Sequence, residues 1–182
     1  MSQASVVDAL GVWFGGTLQT DPDGGKRWYT GGPIPVIGAM YIGFPAKFTG
    51  AQFTRSQAKG SPSGAIAVIK NEEPQEERAS FGGPGAWWRV AHPITIHVYH
   101  RSTHTHAEDA RADLRALQQA MRDRLRSDTT LGGRVFSCGE HDPVPGGATG
   151  SGHKWKPTAT ASSGGVHETR SDWSLTVVEY TQ

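Results

Sequence analysis

The strongest constraint in the chain is a helix between residues 105 and 126. Ala107, Ala110, Leu114, Leu117, Met121 and Leu125 recur at spacings of three and four, drawing one apolar stripe. Thr105-His106-Ala107-Glu108 matches a capping box, in which hydroxyl and carboxylate satisfy free N–H groups at a helix start. Glu108 and Asp109 crowd the first turn and Arg122, Arg124 and Arg126 the last, as the helix macrodipole favours. Leu131-Gly132-Gly133 ends the pattern. Such a helix of roughly 22 residues is about 33 Å long, and its single stripe needs one surface to cover it.

Strand signals lie on both sides of it. From Ile94 the alternation is clean, with Ile94, Ile96 and Val98 on one face and Thr95, His97 and Tyr99 on the other. Pro93 has no N–H for a ladder, so the strand is expected to start there or to lie on an edge at that point. Arg134–Cys138 reads as a short strand, and Trp173, Leu175 and Val177 share one face of a closing strand over 172–180. Ser5–Phe14 spaces Val6, Val7, Leu10 and Phe14 as a short helix ended by Gly15-Gly16. Pro35–Phe44 and Ala65–Lys70 read as further strands. The expected class is α+β: one mostly antiparallel or mixed sheet with the long helix packed on it, in a single domain over 1–182.

Composition explains what lies between these elements. Seven Leu, seven Ile, twelve Val and six Phe make a lean aliphatic set beside 24 Gly and 11 Pro. A net charge of +1 and six Trp argue against disorder in spite of that. The Gly, Pro and Ser concentrate in 20–33, 50–86 and 140–170, which are expected to be long loops. Asn71–Glu77 is an acidic run, expected to be a solvated loop. No apolar run reaches a membrane-spanning length, and the N-terminus lacks the basic start of a secretory signal. Cys138 is the only cysteine, which rules out an intrachain disulfide and a cysteine-based zinc site.

Five of the eight histidines fall between His92 and His106, but His97 and His100 occupy opposite strand faces and no HExxH spacing occurs. Half-exposed strand and cap roles suit them better than metal binding. Cys138 with Glu140 and His141 lacks a cation or helix start that would activate the thiol. Ser63, in SPSGA, sits in a turn context without a GxSxG elbow, and Gly146–Lys154 followed by Lys156 matches no phosphate loop. No catalytic, cofactor or metal residue is assigned. Three tryptophans are the interface candidates. Trp87 and Trp88 are adjacent, so in a strand one enters the core while the other is exposed; Trp155 stands alone between Lys154 and Lys156.

The order PITIHVYHRSTHTHAEDARADLRALQQAMRDRL, then TLGGRVFSCGEH, then SDWSLTVVEY resembles the tail terminator (tail completion) family of long-tailed bacteriophages. The likeness covers roughly residues 90–140 and 171–180, about a third of the chain, and departs in 50–86 and 140–170. It implies a structural virion protein without an active site or cofactor. Such a protein assembles in the host cytoplasm as a ring, usually hexameric, on the last ring of the tail tube. It stops polymerisation of the major tail tube protein and presents the surface that joins the head connector, while DNA crosses the lumen without specific binding. Another neck protein (head-closure or adaptor) or a tube subunit is the nearest alternative. A small metal-dependent enzyme using the His92–His106 cluster belongs to a different class.

Overall fold

The computed structural model describes residues 3–20, 27–45, 62–78, 87–139 and 154–181. Helix α1 (Gln3–Leu10) buries Val6, Val7 and Leu10 and passes into one widened π-helical turn, Gly11–Gly15. Strands β1 (Gly16–Thr20), β2 (Arg27–Gly31), β3 (Ile37–Ile42), β4 (Ser63–Asn71), β5 (Gln75–Arg78) and β6 (Trp88–Ser102) follow. After helix α2 (Ala107–Ser127) come β7 (Ser137–Cys138), β8 (Lys154–Ser163) and β9 (Val166–Thr181). All nine strands form one sheet in the order β1-β2-β3-β4-β6-β9-β7, with β5 also on β6 and β8 also on β9. Every pairing is antiparallel except β3 with β4, so the sheet is mixed and the fold is α+β.

The centre of the sheet is the β6–β9 ribbon, paired continuously from Trp88↔Thr181 to Ser102↔His167. On one face Ile94, Ile96 and Val98 of β6 meet Trp173, Leu175 and Val177 of β9, and Leu117, Met121 and Leu125 of α2 close over them. Phe14 reaches into the same core edge-on to Trp173, with ring centroids 5.5 Å apart. The other face holds a smaller apolar cluster, Ala39, Tyr41, Ile66 and Val68, flanked by Trp28 and Tyr99. Strand β4 is buried from Ser63 to Ile69, as a central strand covered on both faces must be.

Several expectations are corrected. The helix starts one turn position later than the capping box required: its N-cap is His106, without a side-chain cap bond, and Thr105 lies outside it. Pro93 does not start β6, but it does fall at a break in the pairing on one side, between the last pair with β4 at Ile94 and the first with β5 at Ala91. Its carbonyl accepts the N–H of Glu72, so its absent donor points into the gap between β4 and β5, where no ladder bond is lost. The acidic run is not all loop, because Gln75–Arg78 pairs with Trp88–Ala91. The 140–170 loop is contradicted from Lys154 onward. Thr, Ala and Ser alternate in β8, and Gly164-Gly165, with φ of 57° and 77°, makes the two-residue turn that folds it onto β9. Its earlier part, with Glu140 and His141, lies outside the described residues, and so do 50–61 and 79–86 within the 50–86 stretch. The short strand shrinks to Ser137–Cys138. β1 and β2 were hidden in the N-terminal glycine-rich stretch, since neither is apolar enough to stand out.

Candidate functional site

The histidines are dispersed by the sheet rather than gathered. His92 lies on the α2 side of β6, buried with Glu179 at 3.5 Å. His97 points to the opposite face. His100 is buried on the α2 side, where burial lowers its pKa to about 4 against the pull of Asp113. Among the described residues no three His, Cys, Asp or Glu side chains stand close enough to hold a metal ion. Cys138 is fully buried, which pushes its thiol pKa up and keeps it protonated.

Two polar clusters do form, and sequence reasoning missed both. On the face away from α2, register aligns His97 with Asp172, and Arg170 lies two residues before Asp172 on the same side. His97 Nδ1 is 2.6 Å from Asp172 Oδ1, while Arg170 donates to both carboxylate oxygens at 3.0 and 3.3 Å. Arg170 Nη2 is also 3.0 Å from His97 Nδ1. One ring nitrogen cannot donate to the carboxylate and accept from the guanidinium together, and the shorter contact makes Nδ1 the donor to Asp172. Partial burial works to raise the Asp172 pKa, but the bonds from His97 and Arg170 outweigh it and the net shift is downward. Arg170 is held charged by the same bonds. These bonds tie His97 of β6 to Asp172 and Arg170 of β9, so the cluster acts as a cross-link between the two strands. An outward histidine and an Arg-x-Asp spacing on paired strands were the only signals of it.

The second cluster joins three elements. Ser63, which opens β4 and is buried rather than in a turn, donates to Asp113 Oδ2 of α2 at 2.5 Å. His104 Nε2, in the turn before α2, lies 2.9 Å from the same oxygen. The carboxylate stands between hydroxyl and imidazole, whereas a hydrolytic triad needs the imidazole in the middle. A cavity of about 610 Å³ opens beside this cluster, between Pro33, Pro35 and Pro62 on one side and Ala116, Ala120 and Arg124 of α2 on the other. Arg124 is not free to project into it, since its guanidinium lies 3.7 Å over the Trp13 ring, whose Nε1 donates to the Arg124 carbonyl.

The three interface candidates have separate fates. Trp87 and Trp88 are both exposed, at 45% and 42%, so the expectation that one enters the core fails. They stand at the far end of the β6–β9 ribbon, away from the core residues that α2 covers. Phe136, exposed at 51%, lies edge-on to Tyr180 with centroids 4.7 Å apart at the same end. Trp155 is not in a loop but in β8, half-buried, with its ring parallel to that of Trp173. Large aromatic side chains grouped at one exposed end are the residue types that anchor protein contacts.

No family model, curated protein or solved structure matches this chain.

Proposed function

We propose that the protein is a structural subunit of a phage tail, a tail-terminator-like protein that forms a ring on the tail tube and joins it to the head connector. The observation that carries this reading is the exposed aromatic end of the sheet, Trp87, Trp88 and Phe136, where the β6–β9 ribbon offers a second protein an anchor. The segments that resemble the family support it further. The strand 93–100, the helix and the closing strand 172–180 pack as one unit, with α2 lying on the ribbon made by the other two. The β8–β9 hairpin, with Thr160–Gly165 exposed, adds an outer strand to the side of the ribbon, where a neighbouring subunit can reach it. A ring needs no active site; it needs two different faces that fit each other.

The test is assembly. Purified protein mixed with the major tail tube protein is expected to give rings and capped tubes in negative-stain images, and virions lacking it are expected to have tails of irregular length. No association, together with tails of normal length, overturns the reading.

A further inference from the structure

A row of paired residues crosses the whole sheet. Leu18 of β1 stands opposite Tyr29, and the pairing runs on through Met40, Ala67, Val98 and Ser171 to Pro157 of β8. Among the described residues β1 pairs only with β2 and β8 only with β9, so these two strands are the outer edges at that level. β5 and β7 are outer strands too, but they lie at the other end of the ribbon, opposite Trp88–Ala91 and Val177–Val178. Five of the six steps along the row are antiparallel and one, β3 with β4, is parallel, so β1 and β8 run in opposite directions. A second copy that continues the sheet past β1 therefore presents its β8 antiparallel to β1. That is a pairing in which a sheet extends across a subunit boundary.

The side chains at the two edges suit the same pairing. Free sheet edges are usually guarded by charge, proline or a bulge, and β1, Gly-Thr-Leu-Gln-Thr in unbroken register with β2, has none of these. β8 has its proline and its bulge together at Pro157–Ala159, which leaves Thr160–Ser163 exposed and uncharged. Leu18 is 38% exposed, although its row places it on the face that α2 covers, in line with Tyr29 and Met40 of the core. Trp155 lies on that same face, two positions from Pro157 and stacked on Trp173. Across the boundary, Leu18 of one copy would stand diagonal to Trp155 of the next, so an apolar contact would carry the core from subunit to subunit.

We propose that β1 of one copy pairs antiparallel with β8 of the next, with Leu18 level with Pro157 and against the neighbour's Trp155. The inference rests on the ring reading above and names the contact that builds the ring. The two surfaces differ, so the contact is heterologous. The twist of the sheet sets the rotation from copy to copy, and that rotation decides whether the row of copies closes.

The experiment uses the full chain, as wild type and as Leu18→Lys. Amide hydrogen exchange, read by mass spectrometry on free and assembled wild type, is expected to slow by at least ~10-fold in residues 16–20 and 155–163 on assembly, because unpaired edge amides gain partners. Leu18→Lys, at an exposed side chain, is expected to keep its circular dichroism and melting temperature. Light scattering on a sizing column should show it associating at least ~10-fold more weakly, because an ammonium replaces the apolar contact. Should the lysine variant lose its fold, exchange in the wild type decides alone. Assembled wild type in which either strand keeps its free rate, or a folded Leu18→Lys that assembles as wild type does, overturns the edge contact and leaves the ring standing. Wild-type protein that stays monomeric, alone and with tail tubes, overturns both.

Discussion

The indole of Trp155 lies flat against that of Trp173, with ring centroids 5.2 Å apart and planes 5° from parallel. Trp173 is fully buried in the main core, so this stack is how the hairpin arm is fastened to the body of the fold. Trp155→Ala is expected to cost about 2–3 kcal/mol, less than a fully buried tryptophan because one side of the ring is open. Urea unfolding measures the loss. Hydrogen exchange should show it concentrated in β8, and unchanged protection there would refute the fastening role.

Trp87→Ala with Trp88→Ala separates association from folding. Both side chains are about half exposed, so stability should stay within about 0.5 kcal/mol of wild type. Assembly into rings or onto tubes should weaken by roughly tenfold or more, as for an anchor residue. A stable variant that assembles normally would remove the aromatic end from the interface.

His100 makes the fold sensitive to mild acid. In the unfolded chain a histidine titrates near 6.5, whereas burial lowers His100 to about 4 in the fold. Between those values the unfolded chain binds the extra proton, so stability falls as pH drops through that window, by about 3 kcal/mol in all. His100→Gln should flatten the profile from pH 6.5 to 4. An unchanged slope in urea titrations of the variant would place the acid sensitivity elsewhere.

Asp172→Asn tests the cross-link between β6 and β9. Because the folded pKa of Asp172 is depressed, its contribution is complete above the ordinary carboxyl value of about 3.9 and is lost as pH falls through the folded value. The variant should lose about 1–2 kcal/mol at neutral pH, and its deficit should narrow in acid. A deficit of the same size at pH 7 and at pH 2 would mean that charge is not what Asp172 contributes.

Gly11 has a packing role that its sequence position conceals. A Cβ there would lie 2.1 Å from the Tyr29 ring, and Tyr29 is pinned because its hydroxyl donates to Asp8 at 2.6 Å. Gly11→Ala should therefore cost about 1–3 kcal/mol through displacement of the ring. A melting temperature equal to that of wild type would show that the ring can yield.

Periodicity explains what could be read in advance. The stripe from Ala110 to Leu125 and the alternation of Ile94, Ile96 and Val98 are local patterns, and the core uses all of these positions as they predict. β8 was missed because its residues are small and polar, and its strand character comes from a Gly-Gly turn and a long partner. The acidic run hid β5 in the same way, since backbone pairing with Trp88–Ala91 does not depend on side-chain polarity. Trp155 looked stranded because its partner is 18 positions away in the chain and adjacent only through the hairpin register. Neither polar cluster could be located from spacing alone. Ser63 and Asp113, or His97 and Asp172, become neighbours only once the strand order is known.

The unbroken register of β6 with β9 has a mechanical meaning. Strands paired side by side over such a length, and pulled in opposite directions along their axis, load their hydrogen bonds together rather than opening them one at a time. The weakest direction is instead a peel at the Gly164-Gly165 tip, where β8 could be stripped from β9 pair by pair until the tryptophan stack stopped it. A sheet of this design is stiff along its strands and yields first at its outer strand β8.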